Sequence, residues 1–319
     1  MVTPVTWSTH GMPEHQDCCA PSRTGESTPV ATVTGTGRHT VAQCAVPAQT
    51  FAMGDAQGDG KPGDGEGPVH DVTVSAFSID ATSVTNADFE RFVAATGYAT
   101  EAESFGFSAV FHLAVAAPRE AVMGPADGTP WWYGVYGADW RHPGGPDSDL
   151  DGLDDHPVVH VSWNDAQVYC DWAGRALPTE AQWECASRGG QPSQRYPWGH
   201  DLDSPNHCNI WQGRFPVENT LEDGFLTTAP VHTFQPNGYG LWQTVGNVWE
   251  WCADWWDPRS YAADAVSDPN GPSTGQQRAM RGGSYLCHDS YCNRYRNAAR
   301  SSNTPDSSMG NAGFRTVSR

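Results

Sequence analysis

Alternation of apolar and polar residues first becomes regular at Val46, where VPAQTFAMG reads as a half-buried strand ending at Gly54. A Gly- and Asp-rich loop follows. VHDVTVSAFSID, with Val72 and Val74 on one face, then predicts a second strand. Beyond it the period changes. Phe89, Phe92 and Val93 share one face of a helix that Thr85 caps, with Asp88 at the third position, and Gly97 ends. Between Glu101 and His156 no period persists, which predicts a long, packed, irregular insertion. Two further helices follow: one capped by Ser162 and Asp165 that carries Ala166, Tyr169 and Trp172 and stops at Gly174, and one with a Thr179–Gln182 capping box that stops at Gly189. Cys170 and Cys185 lie in these helices and read as small buried thiols. From Arg195 to Asp257 the chain is dominated by turns and aromatic rings. Residues 1–43 are rich in Thr, Ser, Pro and Gly without a period, include Cys18 and Cys19, and predict a disordered leader before a domain at 44–319.

Composition sharpens this picture. Only 17% of the 319 residues are charged, and 34 Gly with 24 Pro predict a loop-rich fold. With 14 Trp, 10 Tyr and 11 Phe there is ample aromatic area for a core. The net charge of -19 argues against nucleic-acid partners and anionic membrane surfaces. No apolar run reaches the roughly 20 residues that a membrane helix needs. The N-terminus lacks the basic start and apolar core of a signal peptide, so a cytoplasmic location is expected. There, nine unevenly spaced cysteines predict free thiols and one functional pair rather than a disulfide framework.

The pair is Cys287 and Cys292, set among His, Asp, Tyr, Asn and Arg in RGGSYLCHDSYCNRYRNAARSSNTPDSSMGNAGFR. A five-residue step brings two sulfurs together only if the chain turns between them. Converged, they make a disulfide or a two-thiolate metal site. Thiolates are soft ligands that select Cu(I), zinc or iron–sulfur clusters. Structural zinc wants four ligands, and only His288 stands alongside. Two thiolates suffice for Cu(I) and leave it open to a third sulfur from a substrate. Spacing alone leaves the disulfide equally open. Arg294, Arg296 and Arg300 predict the electropositive setting of a reactive thiol. Elsewhere, Asp147, Asp149, Asp151 and Gly152 copy half of a calcium loop, but Val158 stands where a bidentate Glu is required, so a solvated acidic turn is expected.

Read together, LPTEAQWECASRGG, NGYGLWQTVGNVWEW, RGGS, GFR and SYLCHDSYCNRYRNAARSSNTPDSS resemble the formylglycine-generating enzyme, or sulfatase-modifying factor, family in its prokaryotic type. The first four mark the wider fold, which other activities such as iron-dependent sulfoxide synthases share. The cysteine pair with NTPDSS marks the generating enzymes. The resemblance covers the chain from about Cys44 and implies a single irregular α+β domain of the sulfatase-modifying-factor and C-type-lectin-like fold, low in regular secondary structure. It implies oxidation by dioxygen of the cysteine in a Cys-X-Pro-X-Arg motif of an unfolded or nascent sulfatase, with Cu(I) on Cys287 and Cys292. A non-catalytic lectin-like binding module with a Cys287–Cys292 disulfide is the alternative. By position the resemblance places Ser284, Tyr291, Trp249 and Asn247 at the active site. His288 is expected to contact substrate, and Arg300 either to do so or to tie loops under the site. It implies structural Ca2+ on Asn209, Ile210, Asp223 and Phe225, and a second ion on Gln243, Gly246, Val248 and Glu250, with Gln243 where vertebrate members have Asn. Two disulfides of vertebrate members have no counterpart, since Cys170 faces Thr316 and Ser187 faces Asn297.

Overall fold

The computed structural model describes residues 21–23, 33 and 37–319. The strand expected from Val46 to Gly54 is two strands, β1 (Gln43–Val46) and β2 (Gln49–Met53), in different sheets. Pro47 separates them, because it has no N–H with which to continue a ladder. The second expected strand likewise divides into β3 (His70–Val74), antiparallel to β2, and β4 (Phe77–Asp80), antiparallel to β1. Helix α1 (Asn86–Thr96) has the Thr85–Asp88 capping box and a left-handed Gly97 stop that the sequence predicts.

The expected irregular insertion is a correction. Its first part is a capped helix, α2 (Glu101–Phe105), and a three-stranded antiparallel sheet of β5 (Phe107–Phe111), β6 (Val122–Ala126) and β7 (Thr129–Tyr136) in the order β5-β7-β6. Every residue of β5 is buried, so the alternation that announces a half-exposed strand is missing there. Two single 3-10 turns, His112–Ala114 and Arg119–Ala121, join β5 to β6, and the segment after β7 is irregular; in it Asp147, Asp149 and Asp151 form an exposed turn, as expected.

Helices α3 (Trp163–Ala173) and α4 (Glu180–Ser187) carry both expected capping boxes, and the strand β8 (Arg175–Ala176) runs between them. A short helix, α5 (Ser204–His207), and the two-residue strands β9 (Gly213–Arg214) and β10 (Glu218–Asn219) lie in the turn-rich region. The long strand β11 (Trp249–Trp255) follows, then β12 (Val266–Ser267), β13 (Arg278–Arg281), β14 (Arg300–Asn303), β15 (Ala312–Gly313) and β16 (Val317–Ser318). The order β14-β13-β11-β15 makes the sheet that frames the cysteine stretch. The fold is therefore the expected α+β domain. Its main core is aromatic: Phe89, Phe92, Trp140, Tyr169 and Trp172 pack edge to face or tilted, joined through buried residues to Trp249, Trp251, Cys287 and Cys292.

The leader needs revision where it is described. Gly37 donates its N–H to the Trp172 carbonyl (2.8 Å), His39 bonds Asp80 (2.7 Å), and Arg23 is buried. These residues are docked on the domain. Cys18 and Cys19 lie outside the described residues.

Candidate active site

The site begins where β13 ends. Gly282 and Gly283 take φ values of 97° and 76°, and a Cβ on either would stand 2.7 Å from the Thr244 carbonyl oxygen or 2.9 Å from that of Arg294. Only glycine permits this close approach. Two turns follow directly. The Cys287 N–H donates to the Ser284 carbonyl (2.9 Å), and the Cys292 N–H to the His288 carbonyl (2.7 Å). The second turn is the one that a five-residue step requires, and it brings the two sulfurs to 3.1 Å. Both cysteines are free and buried.

Ser284 is built into this centre. Its backbone N–H points at Cys287 Sγ (3.4 Å), and its Oγ accepts from Asn311 Nδ2 (2.9 Å) and from the Leu286 N–H (3.3 Å). Burial raises the Cys287 thiol well above its ordinary range, and its bond to Cys292 adds to this, while hydrogen bonds from Ser284 favour the thiolate. The expected electropositive side chains are all held by buried acids. Arg294 is paired with Asp64 (2.6 Å), whose carboxyl burial pushes up to about 8, Arg296 with Glu66 (2.8 Å) and Arg300 with Glu180 (2.7 Å).

The other expected residues divide. Trp249 is buried in the same core cluster as both thiols, and its N–H bonds the Asn311 carbonyl (2.8 Å). Tyr291 stacks on Phe215 (4.4 Å) and meets Trp131 edge to face (4.9 Å). The Asn247 side chain is directed elsewhere: its Oδ1 accepts from the Ala229 N–H (2.8 Å) and its Nδ2 donates to the Ala229 carbonyl (3.1 Å), while only its backbone carbonyl, bonded to the Tyr285 N–H (2.9 Å), touches the cysteine stretch. Half-buried His288 bonds Ser290 Oγ (2.8 Å). Arg300 is fully buried, with both its Nε (2.9 Å) and Nη2 (2.7 Å) on Glu180, and its contacts are those of a loop tie rather than a substrate contact. Asn311 was not singled out in the sequence, and neither was Trp211, whose N–H bonds the Cys287 carbonyl (3.1 Å). Nothing in their local spacing distinguishes them from loop and core residues.

The two expected calcium sets fare differently. In the first, Gln212 Nε2 donates to both the Ile210 carbonyl and Asp223 Oδ2 (2.8 Å), so two of the expected ligand oxygens converge on one electropositive hydrogen-bonding group. Asn209 Oδ1 is buried with no hydrogen-bond partner, and burial raises the Asp223 carboxyl above its usual range. Convergent oxygens and an orphaned amide oxygen fit a hard cation. In the second, Gln243 Oε1 is also buried and unpartnered, but the Glu250 carboxylate is saturated by Arg315 Nε (2.7 Å) and Nη2 (2.8 Å), Trp183 Nε1 (2.7 Å) and Ser83 Oγ (2.7 Å). The Glu250 carboxylate therefore has no lone pair left for an ion, which removes that group from the expected second set while the Gln243 oxygen stays available.

The chain is similar to known proteins over most of its length. The family described as sulfatase-modifying factor enzyme 1-like domain matches residues 30–319. The chain is 62% identical over 280 residues to the formylglycine-generating enzyme of Streptomyces coelicolor, covering 87% of this chain and 89% of that one. It is 54% identical over 276 residues to that of Thermomonospora curvata, covering 85% and 91%. The structure of PvdO from Pseudomonas aeruginosa superposes with a TM-score of 0.65 at 23% identity, covering 91% of this chain and 99% of that one, which is a likeness of fold alone. On sequence over nearly its whole described length, this chain belongs to the sulfatase-modifying factor family.

Proposed function

We propose that this protein is a formylglycine-generating enzyme that oxidises the cysteine of a Cys-X-Pro-X-Arg motif in an unfolded or nascent sulfatase. The observation that carries the reading is the pair of free thiols, with sulfurs 3.1 Å apart in a frame of Ser284, Asn311 and Trp249. Two close, soft donors suit Cu(I). Among the described residues no group of three or more His, Cys, Asp and Glu side chains is assembled that would favour a harder metal. Cys287 and Cys292 would hold the ion, and bound copper supplies the oxygen chemistry that no side chain performs. Overall, a CH2–SH group, dioxygen and two external thiols, which supply two protons and two electrons, give an aldehyde, hydrogen sulfide, water and a disulfide.

The chain's own residues do the rest. Ser284 directs its N–H and hydroxyl at Cys287, stabilising the thiolate that a soft metal requires. Asn311 fixes the Ser284 oxygen. Trp249 helps to enclose the thiols in a water-poor core, where an oxidising centre is shielded from side reactions. Tyr291, held between Phe215 and Trp131, forms a rigid wall beside Cys292. Asn209, Ile210, Asp223 and Phe225 would hold one calcium ion that braces the loop before β11. A reading as a lectin-like module with a structural disulfide is not favoured by two free sulfurs.

The test is incubation with Cu(I), a reducing thiol, oxygen and a Cys-X-Pro-X-Arg peptide, followed by mass spectrometry. Aldehyde formation is expected from the wild type, and neither turnover nor tight copper binding from Cys292→Ser. Unchanged turnover by that variant would refute the assignment.

A further inference from the structure

One motif remains unabsorbed. Residues 19–23 read Cys-Ala-Pro-Ser-Arg, and of the nine cysteines in the chain only Cys19 has Pro at the second and Arg at the fourth following position. For Cys18 those positions are Ala20 and Ser22. The Pro-Ser-Arg half of this motif is seated on the domain. The Pro21 carbonyl accepts from Asn303 Nδ2 (3.5 Å), and Ser22 Oγ donates to Asn303 Oδ1 (2.7 Å). The Arg23 N–H donates to Ser307 Oγ (2.9 Å). Its Nη2 reaches the Phe107 carbonyl (2.7 Å) and Ser308 Oγ (2.8 Å), and its guanidinium lies over the rings of Phe105 (4.3 Å) and Phe107 (4.4 Å). Burial lowers the guanidinium to about 10, and the acids Asp306, Glu101 and Asp165 partly offset this. An arginine is rarely buried without specific partners, and here Nη2 and the two ring faces supply them while Nε and Nη1 are unpartnered.

The segment that seats this motif, from Asn303 to Ser308, runs on in the chain to residues that bond the thiol stretch. Two residues after Ser308, the Gly310 carbonyl accepts from Tyr285 OH (3.0 Å), and Asn311 bonds Ser284 Oγ, whose own N–H faces Cys287. We propose that residues 19–23 are a tethered substrate: Pro21-Ser22-Arg23 occupies the groove that reads the Pro-X-Arg half of a client motif, and Cys19 is itself oxidised to formylglycine by this enzyme. The inference rests on the activity proposed above. The step needs nothing beyond that activity. The Cys19 Cβ–S bond and one Cβ–H bond break and a C=O bond forms, sulfur leaves as hydrogen sulfide, and dioxygen is reduced with two electrons from the Cys19 carbon and two electrons and two protons from two external thiols, which end as a disulfide.

The experiment uses the full-length, copper-loaded protein with a reducing thiol and oxygen, and adds a Cys-X-Pro-X-Arg peptide to the same tube as an internal control. Mass spectrometry of the N-terminal peptide is expected to show the aldehyde at Cys19 with Cys18 intact. Arg23→Ala should lower Cys19 conversion about tenfold or more, the loss of a buried charge-assisted contact expressed as a rate, and Pro21→Ala, which frees the backbone φ, should lower it separately. The converted fraction at a given time should not change on dilution, because the segment is tethered. Conversion of the added peptide with Cys19 untouched overturns the inference and leaves the activity standing, whereas conversion of neither refutes the activity. Equal oxidation of Cys18 and Cys19, insensitivity to both substitutions, or conversion that falls on dilution would each overturn the tethered assignment.

Discussion

Replacing Arg300 by Met separates its two expected roles. The substitution keeps an unbranched apolar stem and removes the fork that grips Glu180 through Nε (2.9 Å) and Nη2 (2.7 Å). It also removes the Nη1 donor to the Gly65 carbonyl (2.8 Å), which lies on the loop that carries Asp64 and Glu66. Removing one partner of a buried ion pair costs about 3–5 kcal/mol, because the remaining charge stays buried. Glu180 would keep only Arg281 Nη1 (3.1 Å) on one oxygen, so the loss should lie near the lower bound, about 3 kcal/mol. Equilibrium urea unfolding followed by tryptophan fluorescence measures it, with a lowered midpoint at an unchanged slope. The KM for a Cys-X-Pro-X-Arg peptide should stay at its wild-type value under conditions where the variant is folded. A stability loss below about 0.5 kcal/mol, the range of a solvent-exposed pair, together with a raised KM would refute the reasoning and return Arg300 to the substrate.

Two further outcomes follow from buried polar groups. Burial raises the Glu101 carboxyl to about 7, with the charges of Asp165 and Asp306 adding to it. Its folded state holds a proton that the unfolded chain releases, so its stabilising contribution is full below the ordinary carboxylate range and is lost as pH rises toward 7. Urea titrations of the wild type and Glu101→Gln at about pH 5 and about pH 8 should therefore show the variant gaining relative to wild type at the higher pH; a constant difference would count against the shift. Calcium at about one hundred times its dissociation constant should stabilise the protein by about 2.7 kcal/mol, and Asp223→Ala should erase that increment. Glu250→Gln, by contrast, should lower stability equally with and without calcium, since its carboxylate serves Arg315.

What was legible in the sequence depended on whether a local rule governed the residue. Helix ends were legible because Thr85, Ser162 and Thr179 bond their own third residues, and no distant partner changes that geometry. The turn between Cys287 and Cys292 was required by the chemistry of convergence and is present. Strand β5 was hidden because burial on both faces abolishes its period, and the division at Pro47 was passed over because the alternation runs on through it. At the site, the Ser284 N–H meets Cys287, Tyr291 precedes Cys292 in the chain, and Trp249 shares the buried core that holds both thiols. The loop tie that was one of the two roles expected of Arg300 is present, whereas the contacts of the Asn247 side chain, Arg294 and Arg296 were not legible because their partners, Ala229, Asp64 and Glu66, lie far away in sequence. A cation written beside a cysteine says nothing about field until its counter-charge is located.

Those arginines also bear on how a fold poor in regular structure is held without disulfides. All seven described cysteines are free. Where vertebrate members are expected to have bridges, Ser187 Oγ bonds Asn297 Oδ1 (2.8 Å), and Thr316 places its N–H (2.7 Å) and Oγ1 (2.8 Å) on Asp80. Around them Arg281 pairs with Glu180 and Glu184, Arg294 with Asp64, Arg296 with Glu66 and Arg315 with Glu250, so the cysteine stretch is fastened at both ends to α4, β11 and the loop before β3. Such pairs fix position because each buried charge tolerates little displacement from its partner. A reducing agent should therefore leave the urea midpoint of the metal-free protein unchanged. A disulfide closing a long loop would contribute about 3–4 kcal/mol, so a midpoint that falls under reductant by a comparable amount would show that a covalent bridge, and not the arginine frame, holds the site.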